Sequence, residues 1–315
     1  MKGNNMTTFD FNDGKGPVPA HQHPKGGGWV ADTATVEDTA YVGPDAQVSG
    51  DAKVYGNARV YGDAWVSGDA WVSGDAQVYG NARVSENAGV YGDAWVSGDA
   101  QVSGKAQVSG DAKVYGNARV SGDAWVSGDA QVSGDAWVYG NAKVYGNARV
   151  SGDAGVYGDA WVSGDAQVSG KAGVYGKAQV SGDAQVFGNA QVSGKAQVSG
   201  DAGVYGNAWV SGNAQVFDNA QVYGDAWVKD NKCPQMKRSD GYDFIAVPCS
   251  DGETRVIAGC RYFTFKEAEK HWKETRGGTP LGDETMLILK YLKKKEICKD
   301  DGKTLLTNAS SMLMY

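Results

Sequence analysis

The sequence predicts an all-β solenoid of about 11 triangular coils, followed by a small α+β C-terminal domain. Three observations predict it. Every sixth residue from Val30 to Val228 is valine, 34 in succession. Two residues before each valine from Val36 onward stands alanine, 33 in succession. The position two after valine is glycine in nearly every unit from Gly50 to Gly224, Glu86 and Asp218 being the exceptions. The unit V-x-G-[DN]-A-x runs without insertion or slip over 199 residues.

A period of six is not the 3.6 of a helix. Valine and the alanine before it lie two apart, on one face of an extended strand, and the residue between them points the other way. Glycine followed by Asp or Asn is turn chemistry, because both tolerate left-handed backbone. Each unit is therefore a short strand plus a corner, and three units close an 18-residue triangle. Stacking sets each strand beside its equivalent three units on, as a parallel ladder. Eleven coils at ~4.8 Å give a prism roughly 53 Å long. Its interior is Val and Ala only. No single coil is stable alone, so stability comes from stacking, and both ends need covering. Phe9 and Phe11 are read as helping to close the N-terminal end, with Gly26–Val30 entering the first coil. The expected boundaries are 1–28 for an N-terminal cap, 29–228 for the solenoid, 229–238 for a linker and 239–315 for the C-terminal domain.

These repeats resemble the hexapeptide-repeat superfamily, whose fold is the left-handed parallel β-helix. The resemblance rests on the aliphatic residue at each corner and the small residue two positions earlier, as Val and Ala stand here, and it spans nearly two-thirds of the chain. It implies the left hand of the coil. One departure is plain: the family often has glycine directly after the aliphatic residue, whereas here Ser or Tyr stands there and glycine comes one later. The whole chain, through its arrangement and the Ala258–Trp272 stretch, resembles uncharacterised bacterial and phage hexapeptide-repeat proteins with a small C-terminal domain.

Nine of the ten tryptophans occupy the outward strand position. Residues 18 apart stack in columns. One column ends in Phe187, Tyr205 and Tyr223, and its companion ends in Trp209 and Trp227. Together they predict an aromatic cluster near the C-terminal end of the solenoid. Tyr139, Tyr157 and Tyr175 form another column. These eight residues are the candidate interaction surface. Three readings stand: β-formers that shield strand hydrogen bonds, a protein interface for self-association or a partner, and carbohydrate stacking. The corner position from 45 to 225 holds 17 Asp, 10 Asn and 4 Lys. Turn chemistry and solubility explain it, with a DNA-mimic surface or calcium as sharper alternatives. No EF-hand or nonapeptide calcium spacing appears.

Charge divides unevenly. Residues 30–228 carry 22 acidic and 11 basic groups, which does not suit binding to phosphates, so no nucleic-acid partner is expected. No apolar run of ~18 residues exists, so no membrane partner is expected either. The N-terminal stretch lacks an apolar signal region, and the expected location is the cytoplasm, in a bacterial or phage-encoded setting. Cys233, Cys249, Cys260 and Cys298 match no CxxC pattern and are read as free thiols, a zinc site with His271 being the alternative. His21 and His23 alternate as metal ligands can, but with no third ligand in view they are read as a loop. The glycines at 26–28 lack the phosphate-loop pattern.

Many enzymes of the resembled family are acyltransferases, which use a catalytic His, projecting loops and clefts between subunits of a trimer. This solenoid has no histidine between His23 and His271 and no inserted loop. The carbonic anhydrases of that fold need three histidine ligands, also lacking. No catalytic residue, cofactor or metal is therefore assigned. The expected role is a non-enzymatic structural or scaffold protein. It is a stiff rod with a C-terminal module, forming a homo-oligomer (trimer or filament) or binding a protein partner through aromatic faces. Carbohydrate or ligand binding and an atypical acyltransferase are the alternatives. In the C-terminal domain, 243–249 and 255–262 read as strands joined by a turn at 250–252. Thr264 and Glu267 form a capping box for a helix over 265–276, and a second helix spans about 283–297, giving a ββαα module.

Overall fold

The computed structural model describes residues 7–217, 220–229, 235–249, 251–259 and 261–297. Two compact units divide between residues 232 and 233.

The first unit is a parallel β-solenoid of about 11 turns, as its 18-residue register requires. Val72 pairs with Val54 on one side and Val90 on the other, and Trp71 pairs with Lys53 and Gly89. The same step repeats on all three faces, which contain sheets of 14, 11 and 11 strands. Face I runs from Trp29–Ala31 to Trp227–Lys229, face II from Thr35–Val36 to Gln215–Val216, and face III from Tyr41–Val42 to Gln221–Val222. Most strands are only two residues long, the outward residue and its valine. From Val42 to Val210 every repeat valine is fully buried. The interior is thus a dry aliphatic column, favourable at about 25 cal/mol per Å2 of apolar surface removed from water.

The corners show why glycine recurs. From Gly50 to Gly224 the corner glycines have φ between +65° and +78°. Each also lies against the equivalent glycine of the next coil: a Cβ on Gly128 would meet the Gly146 nitrogen and oxygen at 3.1 Å. Glu86 is the non-glycine residue at this position within the described corners, with φ 62°. Its carboxylate accepts the Gly104 N–H at 2.8 Å, bridging to the next coil.

The N-terminal end is covered along face I. Strand β1 (Thr8–Phe9) pairs antiparallel with β2 (Val18–Gln22), which pairs antiparallel with β3 (Trp29–Ala31). Phe11 is buried with Ala20 and Ala31, and Phe9 stacks on Trp29 at 4.5 Å. Phe9 and Phe11 therefore sit where the sequence placed them. The segment 25–28 covers the first strand of face III, through Val42 N–H to Lys25 O at 3.1 Å and Gly28 N–H to Val42 O at 3.0 Å. His21 and Gln22, expected in a loop, lie in a strand instead, because this cap needs an antiparallel partner for β3.

The second unit is a four-stranded antiparallel meander (Gln235–Lys237, Asp243–Pro248, Thr254–Ala258, Arg261–Thr264) with two helices. Helix α1, Phe265–Arg276, starts with the Thr264/Glu267 capping box. Helix α2 is Pro280–Ile297. Phe244, Val256, Trp272, Leu289 and Leu292 meet in the core. Three expectations are corrected here. The first strand falls inside the span read as a linker. The strand read over 255–262 is two strands, broken at Gly259, whose φ is +58°. Helix α2 begins three residues early, at a proline suited to the first helical position. Buried Arg238 forks onto Asp240 (2.9 and 2.7 Å) and donates to Thr285 Oγ1 at 2.9 Å, tying the meander to α2.

Candidate interaction surface

The solenoid's outward side chains form columns with the repeat of the coil. Tyr139, Tyr157 and Tyr175 stack at 4.9 Å with ring planes within 3°. Burial, then its two neighbours, pushes the Tyr157 hydroxyl pKa up. Trp209 stacks on Trp227 at 5.3 Å, and Phe187 lies tilted on Tyr205 at 5.8 Å.

The predicted C-terminal cluster splits in two. Tyr205 folds back over face III, where it donates to Gln185 Oε1 at 3.0 Å. Trp209 and Trp227 lean across face I, where their indole N–H groups reach Ser193 (3.0 Å) and Ser211 (3.4 Å). Trp65 does the same to Ser49 at 3.0 Å. The indole is long enough to reach the serine of the preceding coil, and those serines are buried beneath it. Tyr223 belongs to the same column as Tyr205, one coil on.

Two rules in these columns escaped the sequence reading. The first concerns cations. Arg83 lies over Trp65 (5.7 Å), Lys53 over Trp71 (5.7 Å), Lys113 over Trp95 (5.0 Å) and Arg119 over Trp137 (5.3 Å). Lys143 serves both Trp125 (5.6 Å) and Trp161 (5.2 Å). In each case the partners stand one coil apart in their column, so the pairing was written in the sequence at that interval. The second concerns glycine. The outward strand position is glycine at 89, 155, 173 and 203, and each is followed two residues later by tyrosine. A Cβ at Gly89 or Gly203 would overlap the ring of Tyr91 or Tyr205, which has swung over the bare backbone. Burial raises both tyrosine pKa values.

The corners are equally ordered. Asn57, Asn81, Asn117, Asn141, Asn147 and Asn207 each donate their amide to the Asp one coil later, at 2.7–3.1 Å. Asn57, Asn117 and Asn147 each cap a ladder of two or more carboxylates by donating to its first member. One longer run remains between faces II and III, where Asp75, Asp93, Asp111 and Asp129 border a shallow groove of about 460 Å3 with Gln77, Trp95 and Lys113. Among the described residues no cluster of His, Cys, Asp and Glu could hold a metal ion. His21 Nδ1 lies 2.9 Å from Asp32, and buried His23 takes the Lys25 N–H on Nδ1 at 3.3 Å. Cys249 is a buried thiol 2.8 Å from the Tyr262 hydroxyl, whose pKa burial and that contact push up to about 12. Cys233, Cys260 and Cys298 lie outside the described residues. No described helix is long and apolar enough to cross a membrane.

Eight segments are similar to the YdcK β-solenoid repeat. They are residues 52–68, 58–74, 76–92, 112–128, 130–146, 142–158, 178–194 and 196–212, matched by that repeat's family model. Each begins at an inward alanine and ends at a corner residue, so the YdcK-type unit is one coil of the solenoid. No curated protein matches the chain.

Proposed function

We propose that this protein is a non-enzymatic scaffold: a stiff, left-handed solenoid rod of hexapeptide-repeat type carrying a C-terminal module, which associates side by side with copies of itself or with a protein partner. The observation that carries this reading is the placement of exposed tryptophan in register on the flat faces. Trp137 and Trp125 are 49 and 48 percent exposed, although each has a cation on one ring face. Exposed aromatic rows on a rigid surface favour protein contacts, since ordering them costs little further entropy. The cap on face I supports association along the sides over stacking at the N-terminal end, because β1 and β2 occupy the edge that a second solenoid would extend.

Carbohydrate stacking needs open ring faces. The Tyr139–Tyr157–Tyr175 and Trp209–Trp227 ladders give theirs to one another and turn edges outward, which favours protein surfaces over sugars.

Sedimentation equilibrium tests the proposal. The chain mass is 33.1 kDa. A concentration-dependent mass above that value, lowered in a Trp137→Ala variant, is expected. A monomer that also captures no partner would remove the reading.

A further inference from the structure

We infer that a second copy of this chain docks on face I by inserting Arg149 into a slot between Trp137 and Gly155. This rests on the side-by-side association proposed above and names its contact.

The slot follows from the column rules. Seven cations occupy outward strand positions from Lys53 to Arg149. Six of them lie against an aromatic ring, Arg59 doing so with Tyr41 and Tyr61. Arg149 is the seventh. It is exposed on face III between Gln131 and Gln167, and among the described residues no ring or carboxylate pairs with it.

Trp137 is its counterpart. Arg119 covers the ring face toward the N-terminal end, and the next residue down the column is Gly155. At Gly89 and Gly203 a tyrosine fills the corresponding space, but at Gly155 it does not. Tyr157 is held in the Tyr139–Tyr175 stack, and a Cβ on Gly155 would touch it only at 3.6 Å. One face of the most exposed tryptophan is thus left open over a bare backbone. Asp135 and Asp153, two residues before Trp137 and Gly155, line the adjacent corner and make the slot attractive to a cation.

Charge and level then point to the occupant. Residue 149 lies two units beyond 137, two-thirds of a coil, or about 3 Å along the axis at ~4.8 Å per coil. A parallel copy set level with the first, face III against face I, brings its Arg149 to the height at which a guanidinium stacks on an indole. Of the outward strand positions, Lys113 and Arg119 are the like charges closest in level across that contact, and each is already turned onto its own ring, Trp95 and Trp137. The contact is heterologous: slot and arginine lie on different faces of each copy.

Complementation in the full-length chain tests this. Gly155→Lys fills the slot in the manner of Lys143, and Arg149→Gln removes the insert. Each variant alone is expected to weaken association at least tenfold, with a melting temperature equal to that of the wild type. An equimolar mixture is expected to recover a heterodimer, since one variant retains the arginine and the other the slot. Variants that associate like the wild type, or a mixture that recovers nothing, overturn the slot and leave lateral association standing. A wild type that stays monomeric overturns the self-association and the slot together.

Discussion

Tyr91 lies across Gly89, its ring in the space that a side chain at residue 89 would fill. The pair shows how this solenoid treats a gap in an outward column: an aromatic from the following corner covers it, as when aromatic residues rescue strand glycines. Gly89→Ala would force the ring out and is expected to cost about 1–3 kcal/mol, the usual penalty of overpacking. Gly155→Ala, where the ring stands clear, is expected to stay within about 0.5 kcal/mol of the wild type. Urea unfolding of both variants checks the contrast, and equal effects would contradict it.

The corner glycines carry a second expectation. Gly128 has φ +69° and rests against the Gly146 backbone. Gly128→Ala meets both a left-handed backbone and a neighbouring coil that cannot move aside. A loss of about 1–3 kcal/mol is expected. Since coils stack without loops, amide exchange should rise first in the coils on either side of the substitution.

Asn117 donates its amide to Asp135 at 2.7 Å. Asn117→Asp replaces that hydrogen bond with two carboxylates one repeat apart. A destabilisation of about 0.5–1.5 kcal/mol is expected at low salt. It should shrink at 1 M NaCl, where screening shortens to about 3 Å. Melting temperatures at 0.05 and 1 M salt measure it, and a salt-independent loss would point to packing instead of charge.

The second unit has its own acid dependence. The Arg238 guanidinium holds Asp240 at about 2, below its ordinary 3.8. A carboxyl lowered on folding stabilises fully above its unfolded value, and that stability is lost as pH falls through the folded one. Arg255 lowers Asp251 and the Thr264 cap lowers Glu267 in the same direction. Loosening of the second unit is therefore expected between pH 4 and 2, with a smaller change across that window in Asp240→Asn. Amide resonances of residues 243–258 in the full chain report it.

The solenoid was legible because its rule is local and repeated: valine inward, glycine at the corner, three units to a turn. The face I cap was only half legible. Phe9 and Phe11 announced an apolar lid, but nothing in the His21–His23 segment showed that β2 would pair antiparallel to β3, since that depends on an edge existing only once the coil is wound. The split of the C-terminal aromatic cluster was hidden for a similar reason. Column membership fixes which rings stack, whereas the lean of Tyr205 over face III and of Trp209 over face I depends on side-chain reach to Gln185 and Ser193. The Trp–cation and Asn–Asp pairs were open to reading at the interval of one coil, once columns of unlike residues were compared along with columns of like ones. In the second unit, Gly259 broke a strand whose hydrophobic pattern continued through it.

The winding of three units per turn is measured most directly by spin-label distances in full-length protein with the native cysteines replaced by serine. Labels at Gln107 and Gln179, at Gln107 and Gln197, and at Lys53 and Gln197 lie four, five and eight coils apart on face II. At ~4.8 Å per coil their backbone separations are about 19, 24 and 38 Å. Distances that rise in that proportion are the predicted result. Separations that do not scale with the number of coils would contradict the three-sided coil.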